Sequence, residues 1–248
     1  MTNGKLEIVN PFNPPYEVWQ TREPTSDEIS SHAKIHGNIF APDVKVKLIT
    51  TIKNHHEAAI YQLTKAVTNI EDHIDNYLDN DVNFSNLLSK MPSTTPSALS
   101  DYQEAYDPGL AYEEVSSIIK DVGVLLPDGQ YVFHGGVLPR VNGQLKTTRP
   151  LSTSLCPQVA LREAEFCGKP INSKKLELVV LKVTKPKTKA YVYKTKGTEK
   201  GHEKEILFAS GADITMKGCI AIDRQYTFTK PDYTNITVPA FVIVGEIS

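Results

Sequence analysis

Two carboxylates stand one residue apart in the stretch GHEKEILFASG, residues 201–211. In a strand, side chains at i and i+2 share a face. The spacing therefore points Glu203 and Glu205 to one side and Lys204 to the other. Like charges held together repel, so a buried pair needs a task, such as stabilising a positive charge or moving a proton. A solvated strand end is the other way to place them. Two further segments offer polar groups at strand ends. His134 closes QYVFHGG and is followed by Gly135 and Gly136, which let backbone approach a ligand closely. A packed strand-end histidine is the alternative there. Ser152, Thr153 and Ser154 put three hydroxyls just before a helix, as a ligand-facing triplet or as a hydroxyl-rich turn.

Several other chemistries lack their residues. His56-Glu57 and His202-Glu203 begin like a zinc-protease motif, but that motif needs a second histidine four positions after the first, where Ile60 and Ile206 stand. The sequence has no GxxxxGK phosphate loop, no GxGxxG and no GxSxG nucleophile elbow. Cys156 could act as a nucleophile with His134 or His202, or be a small buried thiol. The three cysteines lack metal-type spacing and suit free thiols in a reducing compartment.

The elements that must position these groups fall into two halves. Residues 1–42 are rich in Pro and Asn, with one short helix expected in TSDEISSHAKIHG. Ile49, Ile52, His56, Ile60, Leu63, Val67, Ile70, Ile74 and Leu78 then recur at steps of three or four, which predicts one long amphipathic helix or two joined end to end. Asp72, Asp75 and Asp79 lie off that stripe and are expected to face water. NFSNLLSKM reads as a further helix, and PSTTPSALS, from Pro92, as a linker. LAYEEVSSIIKDVG is a helix ending near Gly123. Short β-branched or aromatic strands follow: QYVFHGG, LELVVLKV, KAYVY, EILFA, CIAIDRQYTFT and VPAFVIVGEI. The helix PQVALREAEF interrupts them, with Pro157 in its first turn. The class is α+β, with a helical region over 1–109 and a mainly β domain over 110–248.

In order, an aromatic strand ending in His-Gly, a Ser-Thr-Ser strand, and Glu-x-Glu before an apolar strand resemble the mono-ADP-ribosyltransferase family. The resemblance covers residues 110–248, and EKEILFASG is its most specific part. The first motif is mixed. The arginine-type members would have Arg at His134, whereas His-Gly resembles the diphtheria-toxin and poly-ADP-ribose polymerase branch, which would have Thr or Ser at Gly136. The resemblance implies a mixed-strand β-sandwich core with helices, and NAD as substrate. It implies that Glu205 stabilises an oxocarbenium-like ribose as nicotinamide leaves, much as in glycoside hydrolysis. Glu203 would prepare the acceptor, Ser152 would position Glu205 within the Ser152-Thr153-Ser154 motif, His134 would hold a ribose hydroxyl, and the Gly135 backbone would bind the nicotinamide amide. The polar run from Lys194 to His202 would present the acceptor. A bacterial or phage effector or toxin is implied. A fold-only interaction module and a plain NAD glycohydrolase are the alternatives.

Charge bears on the acceptor. The 248 residues carry a net charge of −2. Residues 1–124 hold 9 Lys/Arg against 18 Asp/Glu, a net of −9, while residues 125–248 hold 18 against 11, a net of +7. Ten lysines lie between Lys169 and Lys200, with Tyr191 and Tyr193 among them. They could hold a nucleic-acid backbone while the tyrosines stack bases, or be solubilising edges around packed rings. The acceptor is then a protein arginine or a nucleic-acid base amine. The helical half could bind a target or a neutralising partner protein. No apolar run approaches the roughly 20 residues of a membrane span, and no secretory signal is evident, so a protein of the cytoplasm, of the producing or of an invaded cell, without membrane partners is expected, and a mature toxin stripped of its signal would look the same.

Overall fold

The structure is a computed structural model that describes residues 6–65, 68–104 and 112–248. The chain forms two compact units, Phe12–Asn54 and Met1–Pro11 with His55–Ser248. In the smaller, β1 (Tyr16–Arg22) is followed by α1 (Ser26–His36) and pairs antiparallel with β2 (Val44–Ile52). Helix α1 starts at a capping box. Thr25 Oγ1 accepts from the Glu28 N–H, and the Glu28 carboxylate accepts from the Thr25 N–H at 2.8 Å. It ends at Gly37, whose φ of 73° is the left-handed cap that glycine adopts without strain. The two strands are a correction to the expected irregular segment. Ile49 and Ile52 belong to β2, not to the start of a helical stripe. The run Ile49-Thr50-Thr51-Ile52 is wholly β-branched, which favours a strand over the weak three-to-four periodicity.

The larger unit opens with α2 (His55–Thr64), α3 (Ile70–Asn80), α4 (Val82–Leu88), α5 (Ser97–Glu104) and α6 (Tyr112–Val122). The apolar stripe holds from Leu63 onward, where Leu63, Ile70, Ile74 and Leu78 are all buried, whereas earlier in α2 His56 and Ile60 are only half-buried and the buried face is His55, Ala58, Ala59 and Gln62. The stripe is carried by two helices, and Val67 lies outside the described residues. Helix α5 begins inside the stretch expected as linker, directly after Pro96.

The sheet strands and their helices follow: β3 (Tyr131–Gly135), β4 (Gln144–Lys146), β5 (Leu151–Ser154), α7 (Pro157–Glu165), α8 (Lys169–Ser173), β6 (Leu176–Val183), β7 (Ala190–Val192), β8 (Glu205–Phe208), β9 (Asp213–Thr229) and β10 (Asn235–Ile247). They form one mixed sheet in the order β4-β9-β10-β6-β3-β5-β8-β7. The β10–β6 pair is parallel and the other pairs are antiparallel. Strand β6 is buried at every position but Lys182, as its near-continuous apolar sequence requires for a strand covered on both faces. The expected α+β class is the one observed.

Helix α7 packs on β3 at unusually short range. A Cβ on Gly135 would lie 1.7 Å from the Ala160 carbonyl oxygen and 2.7 Å from the Ala164 nitrogen. Glycine is required there by a helix backbone, so close ligand approach is not needed to explain it.

Candidate active site

Strands β5 and β8 bring the hydroxyl triplet beside Glu205. Ser154 lies opposite Glu205 and Ser152 opposite Leu207. Glu205 opens β8 and is only 6 % exposed. Its Oε2 accepts from the Gln103 amide at 2.9 Å. Burial pushes its carboxyl up to about 7. The Ser152 hydroxyl hydrogen bond opposes that shift, the negative charge of Glu203 adds to it, and the Gln103 bond opposes it again. The result is a buried carboxyl poised to change charge near neutral pH.

Glu203 does not extend the strand. It closes a 3-10 turn, Gly201–Glu203, and Lys204 follows in the left-handed region at φ 50°, ψ 40°. The two glutamates are neighbours across a turn rather than along one strand face, which corrects the period-two expectation. The turn is tightly held. Ser154 donates its hydroxyl to the Glu203 carbonyl at 2.7 Å and accepts from the Cys156 N–H at 3.1 Å. Gly201 has no room for a side chain, since a Cβ would lie 2.3 Å from the Thr195 oxygen. The Glu203 carboxylate pairs with Lys200 at 3.0 Å.

Lys204 is the anchor of this turn, whereas the spacing suggested that it merely points away. Its side chain is buried, and its ammonium meets Asp75 at 2.9 Å, Glu71 at 3.1 Å and the His202 carbonyl at 2.9 Å. Three acceptors match its three donors. Glu71 is shared with Arg162, which grips it through both guanidinium nitrogens at 2.8 and 2.9 Å. Asp75 and Asp79, expected to face only water, are ion-paired, Asp79 with Lys196 at 2.8 Å.

His134 sits at the end of β3, half-buried, with Nδ1 2.8 Å from the Ser152 carbonyl oxygen. A carbonyl can only accept, so this contact puts the proton on Nδ1 and leaves the Nε2 lone pair outward. Burial lowers the imidazole to about 4. The Ser152 carbonyl pulls the other way, and Lys169 and Arg149 lower it further. The ring is therefore a neutral acceptor at physiological pH, with two cationic side chains close by.

The remaining expected site groups divide. Thr153 leaves the set: it is buried and its hydroxyl donates to the Ile206 carbonyl at 2.6 Å, so it serves the sheet. Ser154 supports the Glu203 turn as described, and its hydroxyl is committed there. Cys156 is fully buried and burial pushes its thiol up to about 12, which rules out a ready thiolate nucleophile. Tyr191 and Tyr193 are buried against each other, with ring centroids 5.0 Å apart, and are closed to base stacking. The lysine-rich segment is largely consumed by internal contacts, among them Lys175 with Glu177 at 2.7 Å and Lys200 with Glu203.

Helix α5 contributes groups that no sequence pattern singled out. Tyr193 donates its hydroxyl to the Leu99 carbonyl at 2.8 Å, and Tyr102 donates to the Pro150 carbonyl at 3.1 Å. These bonds pin α5 between the end of β7, which pairs with the strand of Glu205, and the approach to Ser152, so that Gln103, one turn beyond Leu99, reaches the carboxyl.

No family model matches the sequence, and no curated protein does. Among solved structures, the chain is similar to the ADP-ribosyltransferase Vis of Vibrio splendidus in complex with agmatine. The identity is 17% over 77% of this chain and 89% of that one, with a TM-score of 0.44. It is similar to Plx2a, an ADP-ribosyltransferase toxin from Paenibacillus larvae, at 12% identity over 72% and 96% of the two chains and a TM-score of 0.37. The enzymatic component C2-I of the C2 toxin from Clostridium botulinum gives 14% identity and a TM-score of 0.37 over 66% of this chain. The match covers 45% of C2-I, so the chain spans about half the length of that protein. At such identities and TM-scores, the functional reading rests on the site itself.

Proposed function

We propose that the chain is a mono-ADP-ribosyltransferase, which takes ADP-ribose from NAD and passes it to a macromolecular acceptor. The observation that supports this best is the environment of Glu205. It is a nearly inaccessible carboxyl, hydrogen-bonded by Ser152 and Gln103, with Glu203 in the adjoining turn and a neutral His134 tied to Ser152. In the reaction, the bond from ribose C1′ to the nicotinamide nitrogen breaks and its electron pair leaves with nicotinamide. The ionised Glu205 stabilises the positive charge that develops at C1′. An acceptor nitrogen then bonds to C1′ and passes its proton to Glu203. His134 Nε2 accepts a ribose hydroxyl, the Gly135 backbone meets the nicotinamide amide, and Arg149 and Lys169 lie near the pyrophosphate. The catalytic groups fall in residues 110–248, inside the compact unit that His55–Ser248 forms with Met1–Pro11, and α5 adds Gln103.

Protein arginine is the favoured acceptor. A guanidinium resists deprotonation and needs a neighbouring carboxylate, while the buried tyrosines and internally paired lysines weaken a nucleic-acid platform. The segment from Lys194 to His202 presents the acceptor, and Glu203 stands at its end. Labelled NAD incubated with the chain and a cell lysate tests this. Protease-sensitive label that disappears with Glu205→Gln supports the reading, and the absence of transfer by the native chain refutes it. A second reading, NAD hydrolysis, has the Lys200–Glu203 ion pair in its favour, because a Glu203 carboxylate committed to Lys200 is less free to take a proton from an acceptor nitrogen. It would show as nicotinamide release without labelled macromolecule.

A further inference from the structure

A concavity lies between α2, α7 and β9, with a volume of about 320 Å³. None of the groups assigned to NAD chemistry lines it. Its charged groups are Lys65, Arg162, Arg224 and Glu165, a net of +2 at neutral pH. The Arg224 guanidinium is half-buried and lies 4.7 Å from the Tyr226 ring centroid. Among the described residues it makes no hydrogen bond or ion pair. A guanidinium has five donors, and those of Arg224 have no protein acceptor among the described residues, which leaves them available to a ligand. On the wall formed by α2 and α7, the Thr68 hydroxyl donates to Gln62 Oε1 at 2.6 Å and lies 3.0 Å from Gln158 Oε1, which gathers the two amides at one point. Burial raises Glu165 while Arg224 opposes the shift, so this acid is held less strongly ionised than an exposed one.

We propose that this cleft binds a small phosphorylated molecule of up to nucleotide size, with Arg224 as the anion fork and Lys65 as the second cation. A forked guanidinium matches phosphate geometry, and a cleft of this volume suits a nucleotide-sized ligand. The site also reports to the catalytic turn. Arg162, on the wall of the cleft, grips Glu71, and Glu71 holds Lys204 between the two glutamates. An anion that draws Arg162 from Glu71 loosens one of the three acceptors of Lys204. This regulatory half rests on Glu205 being catalytic, whereas the binding half does not.

The test is titration of the full chain with AMP and with inorganic pyrophosphate, followed by calorimetry and by the side-chain amide signals of Gln62 and Gln158. Saturable binding that shifts both amides is expected, together with at least a tenfold loss of affinity in Arg224→Gln and a smaller loss in Lys65→Gln. Arg224→Lys keeps the charge without the fork and should fall between wild type and Arg224→Gln. Nicotinamide release without ligand should be unchanged in Arg224→Gln. Absence of saturable binding by either probe overturns the proposal, as does binding that leaves both amides unmoved or survives Arg224→Gln intact. If binding stands, wild-type backbone signals of Glu203 and Lys204 should move with ligand and stay still in Arg162→Gln. Movement that persists in Arg162→Gln refutes the coupling alone. A chain that never turns over NAD leaves the binding result intact and removes only its regulatory meaning.

Discussion

Replacing Glu205 by glutamine should stabilise the protein by an amount that grows as pH rises from about 4.5 to about 7 and is constant above that. The carboxyl is 6 % exposed and titrates near 7 in the folded chain, against 4.5 ordinarily. A carboxyl whose folded value is raised binds its proton more tightly folded than unfolded. Its contribution is fully present below pH 4.5 and is lost as pH rises through 7. Each pH unit in that window is worth about 1.4 kcal/mol, so ionising Glu205 removes on the order of 3 kcal/mol in total, most of it between pH 5 and pH 8.5. Glutamine has nearly the same shape, keeps an oxygen for the Ser152 hydroxyl, and never ionises. Thermal unfolding of the two proteins should therefore differ little at pH 5. At pH 8.5 the variant should melt about 5–10 °C higher, given about 2–4 °C per kcal/mol for a domain of this size. Equal melting differences at both pH values, or a variant destabilised at pH 8.5, would refute the burial argument for Glu205 whatever the protein's activity.

Four further outcomes follow from named contacts. In the free chain, kcat/KM for nicotinamide release should fall about tenfold per pH unit below 7, because only ionised Glu205 stabilises the ribosyl cation; a profile flat from pH 5 to 8 contradicts this. Glu203→Gln removes a charge that raises Glu205, so the midpoint should move to lower pH while transfer drops more than hydrolysis, as read by labelled acceptor against free nicotinamide. Lys204→Met strips the turn of its anchor and leaves Glu71 and Asp75 without that partner, which should cost about 2 kcal/mol in urea unfolding. Gly135→Ala drives a Cβ into the Ala160 carbonyl and should cost about 3 kcal/mol or more, with the loss visible in thermal stability as well as activity.

The parts of this fold legible in the sequence are those where pattern and environment agree. Strand β6 was readable because a strand buried on both faces is apolar throughout, and α7 because Pro157 marks its first turn. The smaller unit was not, since Ile49 and Ile52 fit a helical period by chance while their β-branched neighbours set the local conformation. In the site, Glu205, Ser152 and His134 were found as types at strand ends, and the structure gathers them through Ser152. The period-two spacing does not place Glu203, because a left-handed Lys204 breaks the strand period. The roles of Lys204, Glu71 and Gln103 are not legible in the sequence because they come from contacts across 102 to 133 residues of chain. Thr153 could be separated from its neighbours only once the β5–β8 register was known.

The most direct measurement of the central claim is nicotinamide release from NAD at pH 8 by the native chain and by Glu205→Gln, with the fold of each checked by its melting curve. The account predicts turnover by the native chain and a loss of about 10²-fold or more in a variant that is at least as stable. A native chain that releases no nicotinamide, or a Glu205→Gln protein that releases it at the native rate, would contradict it.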